Sequence, residues 1–91
     1  MEVINILQMP LFKRAYKKLH PNQKKFVDEA VEVIKQDPFN GEVKKGDLKK
    51  VFVYKFPCLN QQFLLAYKFD NKNRVLLYVG VHENFYRILK N

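Results

Sequence analysis

Hydrophobic residues follow two different spacings along the chain, and the change of spacing separates helices from strands. Residues 2–7 read as a short strand that ends before Pro10. From Pro10 to Leu19, apolar residues recur every three or four positions opposite a basic face, which predicts an amphipathic helix. Pro21 begins a second helix and Pro38 stops it. Because the link between them is short, we expect an antiparallel helix hairpin.

The second half of the chain has the alternation typical of strands. The predicted strands are residues 51–56, 62–69 and 74–81. Short turns join them into an antiparallel meander, and a loop from Pro38 to Leu48 precedes it. Residues from 82 onward predict a turn and a short terminal helix. We therefore expect a single α+β domain over residues 1–91, with two layers: the hairpin packs on a mainly antiparallel four-stranded sheet that includes the N-terminal strand.

The last predicted strand indicates which sheet face is available to a ligand. Its aliphatic positions on one face are Val75, Leu77, Val79 and Val81. We expect this face to pack on the helices. Arg74, Tyr78 and His82 alternate with these positions, so they are predicted to face solvent or a ligand.

Composition and charge narrow the class of partner. The chain has 91 residues, 47% of them hydrophobic and 14% aromatic, which is typical of a folded domain. Seventeen Lys and Arg residues against nine Asp and Glu residues give a net charge of +8, spread along the chain. This charge favours RNA, DNA or an acidic protein as partner, although solubility alone is the alternative explanation.

Several classes of protein do not fit the sequence. Cys58 is the single cysteine, so an intramolecular disulfide is excluded and no zinc-site spacing is present. Gly41 and Gly46 lack the spacing of a phosphate-binding loop. No apolar run reaches the roughly 18 residues of a membrane span, and the N-terminus does not look like a signal peptide. We expect a cytoplasmic protein without metal, cofactor or membrane association.

Two residues near the C-terminus have the chemistry for RNA cleavage. Cleavage without metal requires a proton acceptor for a 2′-hydroxyl, cations for the phosphate, and a proton donor for the leaving oxygen. Histidine is the side chain best suited to exchange a proton near neutral pH, and the chain places His82 here with Tyr86 one helical turn later. His82 could instead brace the terminal turn, and Tyr86 could instead seal the helix onto the sheet.

Four cations are candidates for holding phosphate, provided that several of them converge. They are Lys55, Lys68, Arg74 and Arg87. Any one of them alone is more often solvated surface. His20 and Cys58 receive no role.

The order of elements, together with the segments KKLHPNQKK, KKGDL, VYKF, LLAYKF and VGVHENFYRILK, resembles the RelE/ParE toxin superfamily over essentially the whole chain. The segment from Gly80 to Tyr86 looks like the terminal motif of RelE-like and YafQ-like ribosome-dependent endoribonucleases. The resemblance implies active-site roles for His82 and Tyr86, and a phosphate-holding, catalytic role for Lys55.

The resemblance implies the toxin of a type II toxin–antitoxin pair, which cleaves mRNA at the ribosome and is neutralised by a cognate antitoxin. The sequence departs from the RelE-like pattern in two places. Val53 replaces a second lysine, and Gln62 or Leu64 stands where an arginine is expected. YafQ-like His and Asp positions are also missing. A ParE-like inhibitor that binds DNA gyrase is the alternative, and a degenerate toxin or simple RNA-binding module is a third.

Overall fold

Three α-helices and five strands make up the α+β fold in the computed structural model, which describes residues 3–44 and 50–90. The strands are β1 (Asn5–Gln8), β2 (Glu42–Val43), β3 (Phe52–Cys58), β4 (Gln61–Phe69) and β5 (Asn73–Val81). The helices are α1 (Pro10–Lys17), α2 (Pro21–Gln36) and α3 (His82–Lys90), with a 3₁₀ turn at Pro38–Asn40. The loop residues 45–49, which include Gly46 and most of the KKGDL segment, lie outside the described residues.

The sheet has the order β1-β5-β4-β3-β2 and is mixed. β3, β4 and β5 form the predicted antiparallel meander, and β1 joins it parallel to β5. The fold class is confirmed, with five strands in place of four. The added strand is β2, in which Glu42 pairs with Val53 and Val43 pairs with Phe52. Two residues are too few to show an alternating pattern, so the sequence did not reveal this strand.

Both helices of the hairpin begin at a proline, and the hairpin packs on one face of the sheet. Pro10 and Pro21 occupy first-turn positions, where the missing N–H costs no hydrogen bond. At the start of α2 the backbone N–H of His20 donates to the Gln23 side chain at 2.9 Å. The fully buried helix residues on this face are Phe12, Val27, Ala30 and Ile34. No helix in residues 3–44 and 50–90 combines the length and apolarity needed to cross a bilayer.

A bulge in β5 changes which side chains face the helices. Ala66 pairs with Tyr78, whereas the next residue, Tyr67, pairs with Leu76, so Leu77 is an extra residue. Leu77 and Tyr78 consequently pack on the face away from the hairpin, and Leu76 packs on the hairpin side. The predicted alternation therefore holds only for the end of β5 and is wrong before the bulge.

The C-terminal helix covers part of the second face of the sheet and adds a third layer to the two that were predicted. Its Phe85 is fully buried. The buried residues that pack with it on this face are Val51, Val53, Leu64 and Ala66. Because α3 follows β5 without a gap and Phe85 anchors it, the start of α3 is held over residues of β3 and β4. His82 is the first residue of this helix, and Tyr86 follows one turn later.

Candidate functional site

A cleft of about 410 Å³ lies on the second face of the sheet, between β2, β3 and the first turn of α3. Val53 and Leu64 contribute apolar surface to it. Its polar lining residues come from four separate parts of the fold: they are Asn40, Glu42, Lys44, Tyr54, Lys55, His82 and Tyr86. The cleft therefore gathers a histidine, two tyrosines and two lysines from distant parts of the sequence.

The three predicted catalytic residues meet in this cleft. Lys55 is exposed on β3 opposite Leu64, and Leu64 pairs on its other side with Gly80, two residues before His82. This register places the end of β5 level with the middle of β3, with β4 between them. His82 is exposed, and its ring meets the Tyr86 ring edge-to-face at a centroid distance of 6.5 Å. Their catalytic roles stay predictions, but the fold places the three side chains around one space.

Tyr86 has a packing role as well as a place in the cleft. It is half-buried, packs against the core under α3, and contacts Phe85 edge-to-face at 5.2 Å. Tyr86 therefore seals the helix onto the sheet, as one of the two alternatives drawn from the sequence expected, and it also lines the cleft. Its role toward RNA stays a prediction. Tyr78 packs against Phe85 at 5.4 Å, and burial raises the pKa of its phenol, so it stays neutral and serves packing.

Lys44 is a cleft residue that the sequence did not single out. Its Nζ lies 5.6 Å from the centre of the Tyr86 ring and 3.7 Å from Oε2 of Glu42. Its backbone N–H donates to the Val51 carbonyl at 2.8 Å, which continues the pairing of β2 with β3. In the sequence Lys44 is one of a basic pair in a loop. Only the pairing of the two-residue strand β2 brings it to Tyr86.

Arg74 is buried on the hairpin side of the sheet, so its prediction as a phosphate-binding residue is wrong. It is only 5% exposed. Its guanidinium donates to the carbonyls of Ile34 and Lys35, at 3.1 Å each, and to those of Asp70 and Asn73. All of these acceptors are backbone atoms, and two lie in the last turn of α2, where helix carbonyls lack intrahelical partners. Arg74 caps that helix, and the bulge explains why the alternation placed it on the wrong face.

Lys68 and Arg87 lie outside the cleft. Lys68 is exposed on β4, four residues beyond Leu64, and is therefore about 13 Å along the strand from the cleft. Arg87 is exposed on α3 and donates to the Asn84 side chain at 3.0 Å. These two predicted phosphate-binding residues contribute to the wider basic surface and not to the group around His82.

The arrangement has the groups that metal-free phosphodiester cleavage needs. Histidine can give or take a proton near neutral pH, ammonium groups balance charge on a phosphate, and an aromatic ring can stack on a base. Across residues 3–44 and 50–90, no three His, Cys, Asp or Glu side chains are grouped to hold a metal ion.

Known proteins share both sequence and fold with this chain. A family model described as the ParE-like toxin of type II bacterial toxin–antitoxin systems matches residues 6–90. Among curated proteins, none is a significant sequence match.

Three solved structures share the fold. A chain of the RelBE2 toxin–antitoxin complex from Mycobacterium tuberculosis superposes with a TM-score of 0.74 at 20% identity, covering 88% of this chain and 99% of that one. An arginine-substituted E. coli RelE toxin in the free state superposes with a TM-score of 0.70 at 15% identity, covering 97% of this chain and 93% of that one. A chain of the intact E. coli RelBE complex superposes with a TM-score of 0.66 at 16% identity, covering 89% of this chain and 99% of that one. At these identities the likeness shows the fold alone.

Proposed function

Since this chain belongs to the ParE-like toxin family of type II bacterial toxin–antitoxin systems, we propose that it is a toxin that cleaves mRNA on the ribosome without a metal ion. The observation that carries the proposal is the cleft in which Lys55, His82 and Tyr86 lie together. A histidine and two lysines that line the same cleft supply a proton carrier and cations at one place.

In the proposed reaction the 2′-hydroxyl oxygen of one nucleotide attacks the adjacent phosphorus. The bond from phosphorus to the 5′ oxygen of the next nucleotide then breaks, leaving a 2′,3′-cyclic phosphate and a free 5′-hydroxyl. One proton leaves the attacking hydroxyl and one is taken up by the leaving oxygen; His82 carries one of these transfers and solvent water carries the other. Lys55 stabilises the charge that builds on the phosphate, and Tyr86 orients the substrate by contact with a base.

Dependence on the ribosome is consistent with the small number of reactive groups in the cleft. Val53 supplies no cation at the centre, and Arg74 is unavailable because it caps α2. A site with few groups gains most when its substrate is already held in the reactive geometry, because positioning alone accounts for a large share of a barrier. The net charge of +8 favours binding to a particle made largely of RNA.

A cognate antitoxin is the second expected partner in the cytoplasm. Two of the similar structures are toxin–antitoxin complexes. The basic charge of this chain favours an acidic antitoxin, because complementary charge speeds association and favours the correct partner.

Inhibition of DNA gyrase by binding is the second candidate function, and the ParE-like description of the matching family favours it. An inhibitor of this kind would not need a proton-transferring residue. Replacement of His82 by alanine would then leave toxicity unchanged.

The test is cleavage of a defined mRNA in a purified translation system, with and without ribosomes, followed by mapping of new 5′ ends. We expect cleavage with ribosomes, its loss in His82→Ala, and its retention in His20→Ala, the matched control at the other histidine, which directly precedes α2. Supercoiling by gyrase is assayed with the same preparations. Intact mRNA together with inhibited supercoiling would refute the nuclease and support the gyrase inhibitor.

A further inference from the structure

Lys44 is held in the cleft by two contacts of different kinds. Its ammonium lies 5.6 Å from the centre of the Tyr86 ring, within the range of a cation–π interaction. It also lies 3.7 Å from the Glu42 carboxylate. The Lys44 side chain is 30% exposed, whereas that of Glu42 is 85% exposed. Lys44 is therefore partly enclosed at the Tyr86 end of the cleft, and Glu42 pairs with it from the rim.

The two lysines that line the cleft, among the residues that the structure describes, are attached to well-separated points of the backbone. The Lys44 backbone hydrogen-bonds to Val51, which directly precedes β3 and lies four residues before Lys55. Four residues of a strand span about 13 Å. One phosphate at Lys55 consequently leaves Lys44 free for a different phosphate, near the nucleotide whose base contacts Tyr86.

The contacts of Lys44 are suited to exchange. An ion pair with an exposed carboxylate is weak in water, so a phosphate can replace Glu42 at little cost. A lysine has a flexible four-carbon side chain and three donors, so its ammonium can leave the ring when a base stacks there and can bind the phosphate of the same nucleotide. The cation stays close to the ring in both states.

We propose that Lys44 and Tyr86 form a nucleotide subsite for the RNA substrate, in which Lys44 binds a backbone phosphate next to the one held by Lys55. In the free protein the Glu42 carboxylate pairs with the Lys44 ammonium. The inference rests on the proposed function, because it names a second contact of the same substrate. Lys44 is a substrate-binding residue that affects affinity more than the chemical step.

The test compares Lys44→Gln and Lys44→Arg with Lys24→Gln. Lys24 is a matched control, since its Nζ lies 5.4 Å from the centre of the Tyr16 ring, on the helix hairpin and not in the cleft. Binding is measured by fluorescence anisotropy with a 2′-O-methyl RNA oligonucleotide, which lacks the attacking hydroxyl, over a series of KCl concentrations. Cleavage is measured as rate against protein concentration with mRNA on ribosomes.

We expect Lys44→Gln to weaken oligonucleotide binding by about five- to tenfold. The slope of the logarithm of the binding constant against the logarithm of the KCl concentration should become shallower by about 0.7, the value for one phosphate contact on a single strand. In the cleavage assay, the protein concentration that gives half of the maximal rate should rise by a similar factor, while the maximal rate itself changes by less than about twofold. Lys44→Arg should retain most of the affinity, because arginine also binds phosphate and stacks on aromatic rings.

Binding by Lys44→Gln that equals that of Lys24→Gln would overturn the subsite, and so would an equal loss in Lys44→Arg. If the wild type cleaves mRNA and the binding of Lys44→Gln is unchanged, only the subsite fails. If the wild type cleaves nothing, the proposed nuclease fails, and the oligonucleotide measurement alone decides whether Lys44 binds an RNA phosphate.

Discussion

Replacing Arg74 with methionine tests whether this residue stabilises the fold or serves RNA. Methionine keeps much of the apolar stem and removes the guanidinium, which donates to four backbone carbonyls. The bond to Ile34 is fully buried, so water cannot replace it, while the other three are partly buried. The last turn of α2 also loses a cation near its negative end.

The expected cost follows from these bonds. A hydrogen bond to a charged group contributes about 1.5–3 kcal/mol, and a buried acceptor left without a partner costs about 1–3 kcal/mol. Because the four bonds share one group, their contributions are not additive. We expect a loss of about 3–5 kcal/mol in the free energy of unfolding, a large part of the roughly 5–15 kcal/mol typical of a domain. At about 4–8 °C per kcal/mol, the melting temperature should fall by about 15 °C or more.

Urea unfolding followed by circular dichroism measures the change, with Arg87→Met as control. Arg87 is exposed and makes one hydrogen bond, to Asn84, so its loss should change stability by less than about 0.5 kcal/mol. Equal midpoints for Arg74→Met and Arg87→Met would refute the capping role. A stable Arg74→Met protein with weakened RNA binding would restore the phosphate-binding role predicted from the sequence.

Two further substitutions test single contacts. The Tyr67 hydroxyl donates to the Pro38 carbonyl and accepts from the Gly41 N–H, so Tyr67→Phe should destabilise the fold by about 1–3 kcal/mol in urea unfolding; an unchanged midpoint would contradict this. Hydrogen bonds from the backbone of Lys72 and from Asn73 lower the pKa of the Asp70 carboxyl. Its contribution to stability is therefore present above the unfolded pKa of about 3.9 and is lost as the pH falls through the folded value. Below pH 4 the stability of Asp70→Asn should depend less on pH than that of the wild type, and parallel curves would contradict the assignment.

Local sequence signals predicted the helices and the meander. Pro10 and Pro21 mark the starts of α1 and α2, and this signal does not depend on what the helices pack against. The β4–β5 turn is held by hydrogen bonds between Asp70 and the residues that follow it. The bulge at Leu77 was not predictable in this way, because it depends on the register between β4 and β5 and not on the pattern within one strand. The orientation of Arg74 depends on that bulge, so the alternation placed it on the wrong face.

The residues of the candidate site also fall into those that the sequence predicted and one that it did not. His82 and Tyr86 lie one helical turn apart, so a local pattern brings them together, and Lys55 reaches them through the predicted meander. Lys44 reaches Tyr86 only through the pairing of a two-residue strand with β3, a contact without a signal in the sequence. The contacts that follow from a helical turn or from the predicted meander were therefore predictable, and the contact that depends on the two-residue strand β2 was not.

Mapping mRNA 5′ ends in bacterial cells tests most directly whether this toxin cuts mRNA with His82. The chain is induced without an antitoxin, and RNA is collected within minutes from cells that express the wild type or His82→Ala. We expect new 5′ ends inside translated reading frames with the wild type and none with the variant. Growth arrest by both proteins, with intact messages and a DNA-damage response, would contradict it.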